Sequence, residues 1–175
     1  MTTQRAALVF FLLIAMMPLS ATAPVPRQSP ELKFLDAGGR EVLLSSFKGK
    51  VIVVEFLFLR SEHCIRVAQT LNRLNSELGP SGFQALAVAF GANANGPVLG
   101  QVMQNLRLTY PMGYTSPAQV DSFLGRQGKE TLNIPQIVII DRGGMIRAQN
   151  GGQYDPNLEN EDSLRALLKS LLQKS

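Results

Sequence analysis

The chain has 175 residues, of which 45% are apolar, and this composition is typical of one globular domain with a substantial core. Its formal net charge of +4 comes from 17 Lys and Arg against 13 Asp and Glu, with no basic cluster along the chain. Because nucleic-acid-binding proteins concentrate positive charge on one face, we expect no nucleic-acid partner. One histidine, one cysteine and the absence of a glycine-rich phosphate loop predict neither a metal site nor another cofactor.

The first 23 residues have the pattern of an export signal. Arg5 precedes an unbroken apolar run, Ala6–Met17, and small residues follow at Ala21 and Ala23. The run is shorter than the roughly 20 apolar residues that span a membrane. We therefore predict a cleaved signal peptide and a periplasmic or secreted protein, with an uncleaved N-terminal membrane anchor as the alternative.

The rest of the chain predicts a short linker, 24–31, followed by one α/β domain over 32–175. A hairpin is expected at Leu32–Leu44, and the β-branched and aromatic run Val51–Phe58 is typical of a central strand buried on both faces. A helix follows over Ser61–Leu78, where Gly79-Pro80 ends it. Further strands are predicted at 83–90, 108–114, 136–140 and 145–149, and further helices at 97–106, 117–124 and about 160–174.

Three segments together resemble a known family. The strand Gly49–Phe56, the S-x-x-C sequence Ser61–Cys64, and Ile134-Pro135 before a second apolar strand are similar to the exported TlpA/ResA-like branch of the thioredoxin superfamily. The resemblance covers about Leu32 to Gln173. It implies a thioredoxin-like fold: a central mixed β-sheet flanked by helices, with an N-terminal β-hairpin and an inserted α/β stretch. It also implies protein or small-molecule thiols and disulfides of the bacterial cell envelope as partners, with membrane contact only if the leader stays attached.

The resemblance places serine where the family has its attacking cysteine. In the family, the first cysteine of C-x-x-C attacks and the second resolves the mixed disulfide. Here Ser61 takes the first position, and a hydroxyl cannot form a mixed disulfide, so a dithiol cycle is impossible. Ser61 is expected to cap the helix, while Cys64 is the remaining candidate for redox chemistry. The helix N-terminus lowers the pKa of Cys64 and burial raises it, so the sequence leaves its reactivity open.

Four further residues are candidates for the site. Glu55 matches the buried acid of thioredoxins and is either a proton acceptor for the thiol or a strand-end carboxylate that reaches water. Pro135 matches the family's cis-proline, which implies that Ile134 offers its backbone to a substrate peptide. His63 could assist a thiolate if protonated. Adjacent helix residues point in different directions, however, so we expect it at the surface, beside the substrate.

Three functions therefore stay open. The first is monothiol redox chemistry at Cys64, and the second is a binding module that keeps the peptide groove without turnover. The third is a peroxiredoxin-like peroxidase, because Ser61 and Cys64 reproduce the Thr/Ser-x-x-Cys spacing of that class. Against the third, Leu57 replaces an expected proline, and the activating arginine would have to be Arg126 or Arg142, neither of which has convincing spacing.

Overall fold

A computed structural model describes residues 22–126, 131–152 and 154–173. Within these ranges the chain forms one eight-stranded mixed sheet with the strand order β1-β8-β7-β4-β5-β6-β2-β3. The elements in chain order are β1 (Arg27–Gln28), β2 (Lys33–Asp36), β3 (Glu41–Leu43), β4 (Val51–Leu57), α1 (Glu62–Leu78), β5 (Phe83–Ala89), α2 (Gly96–Leu106), β6 (Met112–Tyr114), α3 (Pro117–Leu124), β7 (Gln136–Ile140), β8 (Met145–Gln149), α4 (Pro156–Glu159) and α5 (Glu161–Leu172).

The predicted central strand is confirmed. All seven residues of β4 are buried, and β4 lies between the parallel strand β5 and the antiparallel strand β7. The near absence of polar residues in Val51–Phe58 is explained by this position, since both faces of the strand are covered. One exception is Glu55, which is buried in the middle of the strand.

Two apolar clusters cover the two faces of the sheet. We call one the Cys64 face, where α1 and α5 pack on the sheet with Leu71 and Leu168 among the buried residues. We call the other the Phe123 face, where α3 packs on β4, β5 and β7, and the ring centroids of Phe123 and Phe56 lie 5.5 Å apart. The fold is therefore thioredoxin-like, as predicted, with helices on both sides of a mixed sheet.

Most predicted elements are confirmed to within a few residues, and two differ. The strand predicted over 108–114 is only β6, because Pro111 has no N–H to donate to a ladder and the pairing begins at Met112. The four-residue helix α4, missed in the sequence, precedes α5 directly. It is too short to show a helical repeat of apolar residues.

The segment predicted as a linker, 24–31, is instead partly built into the sheet. Arg27 and Gln28 form β1, which pairs antiparallel with β8 at the sheet edge. The Arg27 guanidinium donates to Gln149 Oε1 at 2.7 Å and to the Phe123 carbonyl at 3.0 Å. A two-residue strand held by a long-range side-chain contact leaves no alternating pattern in the sequence, so composition alone suggested a linker.

Most of the predicted leader, 1–21, lies outside the described residues. Its last two residues lie inside them: Thr22 is buried and donates through Oγ1 to the Asn150 carbonyl at 3.3 Å, and Ala23 N donates to the Leu124 carbonyl at 3.1 Å. Cleavage after Ala23 would remove both contacts. Among the described residues, the helices are all too short or too polar to cross a membrane.

Candidate functional site

The first turn of α1 carries the S-x-x-C sequence as predicted. Ser61 is the N-cap of the helix, and its Oγ accepts a hydrogen bond from the Cys64 amide at 3.3 Å. Glu62 adds an acid to the first turn, where it interacts favourably with the helix dipole. The turn joins the end of β4 at Leu57 to the start of α1 at Glu62, so strand, turn and helix follow one another in the predicted order.

Burial decides the state of the lone thiol. Cys64 has no exposed surface and packs in the cluster of the Cys64 face. Burial raises the pKa of Cys64, and hydrogen bonds from Ser61 and the Phe58 backbone only partly offset that effect. The ionised form of Glu55 raises the pKa of Cys64 further. Of the two opposing effects recognised in the sequence, burial is therefore the stronger, and the thiol is the dominant form near neutral pH.

The alternative in which the Glu55 carboxylate reaches water is wrong. Glu55 is fully buried, and both carboxyl oxygens are without a hydrogen-bond partner among the described residues. Burial raises the pKa of Glu55 well above its usual value, and the charge of Glu159 raises it further. A carboxylate with no donor in an apolar core is costly, so Glu55 holds a proton, which it must release before it can accept one from Cys64.

His63 lies at the surface, as expected, but it is not an isolated side chain. Its Nε2 is 2.6 Å from Glu159 Oε2, and its ring packs against Tyr154 with a centroid distance of 5.9 Å. The His63 side chain is 39% exposed, whereas that of Glu159 is 4% exposed. Burial raises the pKa of Glu159, and the positive charge of His63 is the largest influence in the opposite direction.

Ile134 and Pro135 come to the same end of the sheet as the S-x-x-C turn. The peptide bond between them is cis, as predicted, and Pro135 is buried. Gln136, the next residue, pairs with Phe56 of β4, and Ile134 packs against the cluster that contains Cys64. Whether the Ile134 backbone binds a substrate peptide stays a prediction.

The two arginines considered for peroxide activation are both placed elsewhere. Arg126 follows α3 on the Phe123 face and forms an ion pair with Asp121 at 2.8 Å. Arg142 follows the far end of β7, where it donates to the Ser81 carbonyl at 3.0 Å. Neither is positioned to activate a peroxide at Cys64.

An aromatic rim borders the turn. The ring centroids of Phe58 and Phe90 are 4.7 Å apart, and Phe58 is 44% exposed. Together with Arg60 and the loop 91–94 they line a surface cavity of about 260 Å³. Phe58 is one of three large hydrophobic residues exposed among the described residues, with Val25 and Tyr154, and it is the one that stacks on a second aromatic ring beside a cavity, so this rim is a candidate contact surface.

The sequence missed two members of the site. Tyr110 is buried, and its hydroxyl donates to the Ala68 carbonyl at 3.1 Å. Burial raises the pKa of Tyr110 well above its usual value, and a charge on Glu55 raises it further. Glu159 lies in α4, about a hundred residues from Glu55 in the chain. Both are single polar residues in irregular or very short elements, and no sequence motif marks them. The described residues contain no cluster of three or more His, Cys, Asp or Glu side chains suited to a metal.

The fold and the strand-to-helix turn define a thioredoxin-fold redoxin. The family model described as the AhpC/TSA family matches residues 25–149, and the chain belongs to that family. A comparison with curated protein sequences finds no match.

Solved structures share the fold at low sequence identity. A thiol:disulfide interchange protein of the thioredoxin family from Chlorobium tepidum TLS is 19% identical with a TM-score of 0.69, covering 86% of this chain and 99% of that one. The thioredoxin domain of a thiol-disulfide oxidoreductase from Bacteroides vulgatus is 19% identical, with a TM-score of 0.68 and the same coverage of 86% and 99%. A thiol:disulfide interchange protein from Bacteroides sp. is 17% identical, with a TM-score of 0.68 and coverage of 87% and 92%.

Proposed function

We propose that this chain is an exported, TlpA-like redoxin that has lost dithiol exchange and keeps at most a slow monothiol reaction at Cys64. The observation that carries the proposal is the combination of Ser61 at the attacking position with a fully buried Cys64 sulfur. A serine cannot open a partner disulfide, and a buried thiol cannot be approached by a folded protein. Only small oxidants or small disulfides can therefore reach the sulfur.

The partners that we propose are thiols and disulfides of proteins or small molecules in the cell envelope. Export rests on the leader pattern of the first 23 residues, and membrane contact follows only if that leader stays attached. The mass of the protein recovered from the envelope of its own cell tests this. Loss of 23 residues supports cleavage after Ala23, and an intact N-terminus indicates an anchored form.

A labelling experiment tests the state of Cys64 directly, because it is the single cysteine of the chain. A small alkylating reagent should modify the folded protein slowly and the unfolded protein completely, since burial both shields the sulfur and favours the thiol. The Cys64→Ala variant, which has no thiol, measures the background labelling. Two results together would overturn the proposal in favour of a peroxidase: rapid labelling of the folded protein, and a sulfenic acid at Cys64 that can be trapped after treatment with peroxide.

A second function, docking without turnover, is favoured by the aromatic rim. Phe58 is 44% exposed beside the turn, whereas all seven residues of the preceding strand β4 are buried. In this case the protein would bind an extended or apolar segment of a partner and carry out no chemistry on it. Cross-linking in the native envelope separates the two functions: a docking module keeps its partners in Cys64→Ala and loses them in Phe58→Ala, whereas a monothiol shows the reverse.

A further inference from the structure

We propose that His63 and Glu159 form a solvent-facing pair that controls whether the buried carboxyl of Glu55 holds its proton. This goes beyond the proposed function, because it concerns Glu55 and holds whether or not Cys64 reacts. Glu159 and His63 would be positioning residues, which act through Glu55 and do not contact a substrate.

The first step is the isolation of Glu55. It has no exposed surface and neither carboxyl oxygen has a hydrogen-bond partner among the described residues. Glu55 is paired across the sheet with Ile137, whose amide donates to Asn150 Oδ1 at 2.6 Å, and the amide group of Asn150 lies 3.5 Å from Glu159 Oε1. Through this bridge Glu159 in α4 lies close enough for its charge to act on Glu55, and Glu55 acts in turn on Cys64 in α1 and on Tyr110 ahead of β6. Cys64 and Tyr110 are themselves buried and are neutral near neutral pH, so Glu159 is the member that supplies charge.

The second step is the contact of Glu159 with the surface. Its Oε2 lies 2.6 Å from His63 Nε2, which is well within ion-pair distance, although the imidazole N–H is not aligned for a hydrogen bond to that oxygen. On its other oxygen, the Asn150 side-chain amide lies at 3.5 Å. The carboxyl is almost fully buried while the imidazole is 39% exposed, so the imidazole is the part of this pair that water contacts.

The third step is the repulsion between the two carboxyls. Two buried carboxylates near each other cannot both be ionised without a large cost, so a charge on Glu159 keeps the proton on Glu55. The cation on His63 directs the single negative charge to Glu159. Where that cation is absent, as in a His63→Gln variant, the preference is smaller, and the one proton that the two carboxyls share can pass from Glu55 to Glu159. In balance, one O–H bond breaks at Glu55 and one O–H bond forms at Glu159.

Carbon-13 NMR of the glutamate side-chain carboxyl carbons, followed from pH 4 to pH 10 in the full chain, tests the proposal. The Glu55 resonance is assigned by its loss in Glu55→Gln. In Glu159→Gln we expect the Glu55 midpoint to fall by about one pH unit or more, because a neighbouring negative charge has been removed. In His63→Gln we expect the Glu55 and Glu159 midpoints to move closer together. Glu62→Gln is the matched control, since it removes an exposed carboxylate next to His63 and should leave Glu55 unchanged.

A Glu55 midpoint that stays the same in Glu159→Gln, with a native amide spectrum, would overturn the proposal, as would a shift of equal size in Glu62→Gln. The proposal is also contradicted if Glu55 remains protonated from pH 4 to pH 10 in both the parent and Glu159→Gln. It is supported if Glu55 ionises in this range only in Glu159→Gln. The result is independent of the labelling of Cys64. Rapid labelling of the folded protein together with a shifted Glu55 would overturn the proposed function and leave this inference standing.

Discussion

The two faces of the sheet differ in what they bury. The Phe123 face contains only apolar side chains in its cluster, with the rings of Phe56 and Phe123 in contact. The Cys64 face buries the thiol of Cys64, the hydroxyl of Tyr110 and the carboxyl of Glu55 among its apolar residues. Glu55 and Phe56 are neighbours in β4 and point to opposite faces. The comparison shows that the core cluster of one face is apolar, whereas the other face buries three titratable groups near the strand-to-helix turn, which is typical of a face that serves a site.

Truncating a ring on the Phe123 face should have the largest effect. Phe123→Ala removes a side chain that is 2% exposed, and we expect it to lower the free energy of unfolding by about 3–5 kcal/mol. Urea denaturation measures the loss. Phe58→Ala is the control: this ring is 44% exposed on the aromatic rim, and its removal should cost less than about 1 kcal/mol. Equal losses would mean that the two regions are not specialised as described.

Neutralising Glu55 should change the pH dependence of stability. Because its folded-state pKa is raised, the folded protein binds this proton more tightly than the unfolded chain does. The stability that it confers is present below the ordinary glutamate pKa and is lost as the pH rises above it. In Glu55→Gln the side chain has nearly the same shape but cannot ionise. We therefore expect the free energy of unfolding of this variant, relative to that of the parent, to increase with pH by up to about 1.4 kcal/mol per pH unit. A constant difference between pH 5 and pH 8 would contradict the assignment of a buried, protonated carboxyl.

Removing the helix cap should have the smallest effect on stability. Ser61→Ala loses the acceptor of the Cys64 amide, and we expect a cost of about 1 kcal/mol. Ser116→Ala is a matched control, since Ser116 caps α3 in the same way, through the Gln119 amide at 3.3 Å. Both variants should lose similar stability by thermal unfolding. Only Ser61→Ala should raise the pKa of Cys64 further, because the Ser61 hydroxyl hydrogen-bonds the sulfur as well. A similar thiol titration in both variants would show that Ser61 is a cap and nothing more.

The sequence predicted what regular patterns encode. The apolar run Val51–Phe58 predicted the central strand, the spacing of apolar residues predicted α1, and Ser61 predicted its cap. It could not decide whether Glu55 reaches water, because that depends on what packs over the strand. The contact between His63 and Glu159 was hidden for the same reason, since the two residues are about a hundred positions apart.

The Ser61→Cys variant tests the central claim most directly, namely that one substitution at an intact turn abolished dithiol chemistry. We expect Ser61→Cys to form a reversible disulfide with Cys64 and to catalyse the reduction of a protein disulfide by a small dithiol. The parent and the double variant carrying Ser61→Cys and Cys64→Ser should both show no catalytic reduction of the protein disulfide. Catalytic reduction by the parent, or a folded Ser61→Cys variant that remains inactive, would contradict the account.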